Sequence, residues 1–197
     1  MTKYMIERPL EKVGEIHCNW ERLIDTLSYD TLDTKPEKGD SWNGRFRHYG
    51  TDLTGFARRF GDAIAAAVGG TNNWRWCLNR TQPPVFTKPH KDQFKVHAEL
   101  IGEKFVSPES SRNRYLRFWI PMRDRQPGQF FECDGVAPIF DWKAGDIYIS
   151  PSAYSHYGAT VGHEDRYTFL MDGYNDDPHI AARSEYEILH VNEKEYE

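Results

Sequence analysis

Apolar residues recur at helical spacing at Ile16, Trp20, Ile24 and Leu27, and this pattern predicts a helix in the first third of the chain. The polar stretch DTKPEKGDSWNG follows and reads as loop. TDLTGFARRFGDAIAAAVGG then predicts a second helix. Phe56, Phe60, Ile64 and Val68 form its apolar stripe, and Gly69-Gly70 form its stop. From Trp74 onward the texture changes. Short runs rich in aromatic and β-branched residues alternate with turn residues: NWRWCLNR, FKVHAELI, RYLRFWIPM, QFFEC, APIFDW, GDIYIS, HYGATV, RYTFLMDGY and YEILHV. Strands at this spacing predict a sandwich or jelly roll, with the helices buttressing one outer face. No linker, repeat or low-complexity tract divides the chain. We therefore expect a single domain over 1–197: helical support over 1–72, a β core over 73–175 and a C-terminal extension over 176–197.

Composition narrows the class. A length of 197 residues with 39% hydrophobic and 14% aromatic content is enough for a buried core, and argues against overall disorder. No apolar run approaches the ~18 residues of a membrane span. The charged start MTKYMIERPLEKVGE has no apolar core of a secretory signal. Cys18, Cys77 and Cys133 are odd in number and widely spaced, which argues against a disulfide framework and makes a reducing cytoplasm the expected compartment. From Asp172 onward eight acids face two bases. That segment carries −6 of the net charge of −5, and the preceding 171 residues carry +1. A near-neutral body does not favour nucleic acid as a partner, although Arg112, Arg114, Arg117, Arg123 and Arg125 form a local basic strip that reads as a solvated strand face.

Four features in the β region carry chemistry. His90-Lys91-Asp92 reads H-x-D, and residues i and i+2 of a strand point the same way, so an imidazole and a carboxylate can meet one ion. His156 follows the strand GDIYIS, 66 residues later. Two histidines and one carboxylate on one side of an iron leave three positions open, the facial triad of non-haem iron(II) oxygenases. Arg166 begins the strand RYTFLMDG ten residues further on, and its rigid fork suits a buried carboxylate. Thr168 lies on the same strand face and can share that carboxylate. Nearby rivals are His97 with Glu99, a second H-x-acid pair in mid-strand, and His163 in the turn-like VGHEDR. His90 is preferred because it follows a proline-rich loop and begins its strand, and His156 because of the strand before it. Arg166 has a rival reading too, as an ordinary salt-bridge residue beside Glu164 and Asp165.

With these residues in order, the segment from Trp74 to Tyr174 resembles the Fe(II)/2-oxoglutarate-dependent oxygenase superfamily, and more narrowly its small phage-type members. TQPPVFTKPHKD, RFWIPMRDRQPGQFF, DWKAGD and SHYGATVGHEDRYTF carry the resemblance. Pro84 departs from it, since glycine is expected there. The resemblance implies a mainly β fold with N-terminal helices, a double-stranded β-helix of the cupin-like jelly-roll kind. It implies Fe(II) on His90, Asp92 and His156, and 2-oxoglutarate as co-substrate on Arg166 and Thr168. It implies a dioxygenase that uses O2 to hydroxylate its substrate and releases succinate and CO2. Asp92 fills the position that halide takes in halogenases, which argues against halogenation. Asn79, Tyr115 and Arg117 are further candidates to bond 2-oxoglutarate or substrate. Trp119, Trp142 and Phe130-Phe131 read as core, Asp146 as a turn former, and His48, Arg45 and Arg47 as candidates for the entrance. The expected substrate is a small molecule, in the cytoplasm of a host cell if the protein is phage-encoded. The contrasting reading is a cupin-like β-sandwich that binds a metal or ligand without oxygen chemistry. Substrate identity and oligomeric state are left open by the sequence.

Overall fold

The computed structural model describes residues 10–26, 45–70, 74–92, 94, 98–99, 102, 104, 107, 115–134, 136, 138–151, 154–174 and 187–197. Among them are the strands β1 (Glu11–His17), β2 (Arg45–Tyr49), β3 (Arg75–Thr81), β4 (Val85–His90), β5 (Tyr115–Pro121), β6 (Gln129–Cys133), β7 (Asp146–Pro151), β8 (His156–Thr160), β9 (Arg166–Tyr174) and β10 (Glu187–His190). Two α-helices, α1 (Trp20–Asp25) and α2 (Gly55–Val68), accompany them. Seven strands form one sheet in the order β10-β1-β7-β5-β9-β3-β2, and β4-β8-β6 form a second. The pairings are antiparallel except for β10 on β1. No helix among the described residues is long and apolar enough to cross a membrane.

The two faces of the large sheet differ because successive side chains alternate. On the outer face, Trp76, Leu78, Phe118, Ile120, Ile147, Phe169 and Met171 pack against Phe60, Ile64 and Val68 of α2 and Trp20 and Leu23 of α1. Gly61 makes this docking possible, since a Cβ there would lie 2.2 Å from the Trp76 ring. Trp76 stacks on Phe169 at 5.2 Å and donates from Nε1 to Asp62 Oδ1 at 2.8 Å. Helix α2 ends in a Schellman motif. Gly69 takes φ +106°, its N–H reaches Ala66 O, and Gly70 N–H reaches Ala65 O at 2.7 Å. The inner face mixes Asn79, Thr168 and Arg117 with a second apolar cluster of Cys77, Trp119, Cys133, Trp142, Tyr148 and Leu170. Asp146 is the expected turn former: its Oδ2 accepts from Lys143 N at 2.9 Å, and it also pairs with Lys12 at 2.8 Å.

Several expectations need correction. Ile16 lies on β1, not on a helix with Trp20 and Ile24; the chain changes element at Cys18-Asn19, where Asn19 Oδ1 caps α1 by accepting from Arg22 N at 3.1 Å. Leu27 lies outside the described residues. The run VFTKPH, read as loop, is the strand β4, which among the described residues is an edge and tolerates Pro89 because one of its sides is left unpaired there. His90 therefore ends its strand instead of beginning it. In FKVHAELI, Ala98 and Glu99 are helical, with Ala98 N–H on Phe94 O at 3.0 Å. Among the described residues of APIFDW, Ile139 alone pairs, as a single bridge to Phe131. By contrast, the C-terminal run is a strand as expected: Glu187–His190 form β10, paired parallel with β1 at the edge of the large sheet.

Candidate metal centre

The small sheet brings the two histidines together. On β4 and β8 the partners run Val85–Thr160, Phe86–Ala159 and Thr87–Gly158, and then a bulge shifts the register so that His90 faces His156. Their rings lie 4.4 Å apart. Asp92 follows two residues after β4, and its carboxylate lies 3.3 Å from His156 Nε2 and 4.0 Å from His90 Nε2. Among the described residues these three form the group that could hold a metal ion, with one ligand atom from each all within 4.8 Å of one another.

The tautomers suit that role. His90 Nδ1 lies 2.8 Å from Lys88 O, and His156 Nδ1 lies 3.4 Å from Tyr154 O. A carbonyl can only accept, so in the tautomer with its proton on Nδ1 each ring satisfies that carbonyl and leaves Nε2, beside Asp92, free to ligate an ion. Burial pulls the His156 imidazole down to about 4, against the opposing pull of Asp92 and with Arg117 and His90 adding to the fall. His156 is thus neutral at pH 7. An unfolded chain takes up this proton near pH 6.5, so between 6.5 and about 4 the unfolded state holds more protons. This group's contribution is present above 6.5 and lost as pH falls through that window, by about 3 kcal/mol. Melting the metal-free protein at pH 7 and 4.5 should show this loss, and His156→Ala should reduce it. An equal loss in both proteins would contradict the assignment.

A cavity open to solvent runs from the two histidines to Arg166, with Asn79, Thr81, Thr168 and Trp119 among its walls. Arg166 is half-buried on that wall. Its Nη1 donates to Phe130 O at 3.2 Å and Ala159 O at 3.5 Å, and its enclosed Nε has no partner. No carboxylate among the described residues pairs with it; Asp165, its neighbour in sequence, pairs with Arg80 at 2.5 Å. Burial alone pulls the guanidinium down to about 10, which leaves it cationic at pH 7. Gly158 makes room for the fork, because a Cβ there would meet Arg166 Nη1 at 3.2 Å and Phe130 O at 2.8 Å. Asn79 is buried, and its Oδ1 accepts from Arg47 Nε at 3.0 Å, so its amide nitrogen is the end left to donate.

Other candidates are placed differently. Tyr115 is not on the wall of this cavity; it stacks on Phe94 at 5.7 Å in a cluster with Ala98. Arg117 does reach the wall, but it is bound to Asp172 through Nε at 2.6 Å and Nη2 at 3.0 Å, and to Asp92 through Nη1 at 2.5 Å. His163 is an exposed turn residue, and His97 lies outside the described residues. Sequence reasoning missed Asp172 and Gly158. A glycine inside the strand-like HYGATV was the available signal for Gly158; Asp172 gave none, because its partner is 55 residues away. A smaller hollow bounded by Asp92, Phe94, Trp119, Phe131, Ser150 and His156 adjoins the same histidine.

No protein-family model matches the sequence, and no curated protein matches it. Among solved structures, EvdMO1 aligns with a TM-score of 0.52 and 16% identity over 85% of this chain, which spans 47% of that protein. A Klebsiella pneumoniae protein with a double-stranded β-helix domain aligns at TM-score 0.34 and 14% identity, covering 54% of this chain and 72% of that one. An oxalate oxidase aligns at TM-score 0.39 and 11% identity, covering 68% and 53%. By its own strand pairings the fold is mainly β, of the double-stranded β-helix kind, with two helices packed on the large sheet.

Proposed function

We propose that this protein is an Fe(II)- and 2-oxoglutarate-dependent dioxygenase that hydroxylates a small molecule and releases succinate and CO2. The observation that carries the reading is Arg166, a cation with no acid partner among the described residues, on the wall of a cavity that also holds His90 and His156, with the Asp92 carboxylate 3.3 Å from His156 Nε2. A buried charge is costly unless something compensates it, and a ligand carboxylate would do so. Two imidazoles and one carboxylate suit iron(II) and leave part of its coordination shell open. Bound iron would supply oxygen activation coupled to oxidative decarboxylation of the 2-oxo acid.

The chain's own residues do the rest. Arg166 and Thr168 hold the distal carboxylate, and the Asn79 amide adds a donor. His90, Asp92 and His156 fix the ion, and the Trp119–Phe131 stack, 5.0 Å apart, keeps one wall dry. A purely metal-binding cupin has no use for a cation at Arg166, which disfavours that alternative.

The test is anaerobic. Fe(II) and 2-oxoglutarate added to the folded protein should produce a visible charge-transfer band, and admission of O2 should then yield succinate. A folded protein that takes up metal but gives neither band nor succinate is a metal-binding cupin instead.

A further inference from the structure

We infer that Arg117 and Asp172 are a positioning pair that aims the Asp92 carboxylate at the metal position, so that Arg117 serves Asp92 and not the co-substrate. The inference rests on the metal-site reading above. His90 and His156 sit on paired strands, whereas Asp92 lies beyond the end of β4, where the ladder has stopped. A ligand carried on such a segment needs an anchor from elsewhere, and Arg117 supplies it from β5, which is paired on both sides. Asp172 is the direct cross-strand partner of Arg117. Its two oxygens take Nε at 2.6 Å and Nη2 at 3.0 Å, which fixes the guanidinium plane and turns Nη1 toward Asp92 Oδ2 at 2.5 Å. Phe94 roofs the group, its ring centre 5.7 Å from Arg117 Cζ.

Two consequences follow. A guanidinium on Oδ2 disfavours chelation through both carboxylate oxygens, so fewer of the ion's positions are taken by protein. Asp172 also compensates Arg117, whose charge would otherwise repel a divalent ion held by the adjacent carboxylate.

Cobalt(II), titrated into EDTA-treated full-length protein and followed by visible absorption, tests the pair. Asp172→Asn keeps the shape and removes the charge; it should weaken cobalt binding about 10–100-fold, the range for partners of metal ligands. Arg117→Met should change the intensity and position of the cobalt bands as Asp92 turns, and Arg117→Lys should restore part of the wild-type spectrum. Wild-type affinity and spectrum in both Asp172→Asn and Arg117→Met, with only a lower unfolding temperature, would overturn the inference. If Arg117→Met does not fold, the isosteric Asp172→Asn decides. A wild-type protein that binds no cobalt overturns the metal site itself, and this inference with it.

Discussion

Replacing Arg166 with leucine is expected to raise the apparent KM for 2-oxoglutarate by at least about 100-fold, while the metal-free protein becomes no less stable. The first effect follows from losing a forked, charge-assisted grip on a carboxylate, worth about 3 kcal/mol where water is excluded. The second follows from the same surroundings. Nothing anionic among the described residues offsets the cost of enclosing this guanidinium, and burial alone lowers it to about 10. Leucine removes that cost. Because Arg166 faces a cavity that water can enter, the gain is put at only about 1–2 kcal/mol. The combination separates a ligand-binding role from a structural one, since a structural arginine would lower the melting temperature when lost. Initial rates of succinate release against 2-oxoglutarate concentration on the metal-loaded protein, and melting of the metal-free form, give the two readings. A KM within twofold of wild type would remove Arg166 from the co-substrate site. Arg166→Lys, which keeps the charge without the fork, should fall between.

The parts of this architecture legible in the sequence are those decided locally. QFFEC and RYTFLMDGY match β6 and β9 to the residue, because uninterrupted aromatic and β-branched runs have few other solutions. The stripe and terminal glycines of α2 are equally local. Ile16, Trp20 and Ile24 misled because four-residue spacing does not reveal a chain that changes element between them. β4 was hidden by Pro89, which a strand accepts only at an unpaired edge, and edges are decided by sheet order. The site divides in the same way. His90 with Asp92 is a short-range pattern, and Arg166 sits in an apolar strand, so both could be read directly. The Arg117–Asp172–Asp92 chain could not. It needs the β5–β9 register, which follows from how the whole sheet assembles. The same holds for the bulge that sets His90 opposite His156.

His156→Ala is expected to abolish turnover and reduce iron(II) affinity by well over 100-fold. Loss of a partner that merely supports a ligand costs about 10–100-fold, and here a ligand itself is lost. His156 should also matter more than His90. It lies on the central strand of the small sheet, paired with His90 on one side and Cys133 on the other. It is buried and therefore neutral at pH 7, with its Nε2 already beside Asp92. His90 ends an edge strand and is only half-buried, so part of its order is to be gained on binding. His90→Ala should accordingly retain more metal than His156→Ala, though too little for full activity. His163→Ala, at an exposed turn, serves as the control and should match wild type. Iron content after gel filtration, with succinate release on the same samples, measures both effects. If His156→Ala retains stoichiometric iron and the His163 variant loses it, the metal centre has been assigned to the wrong histidine.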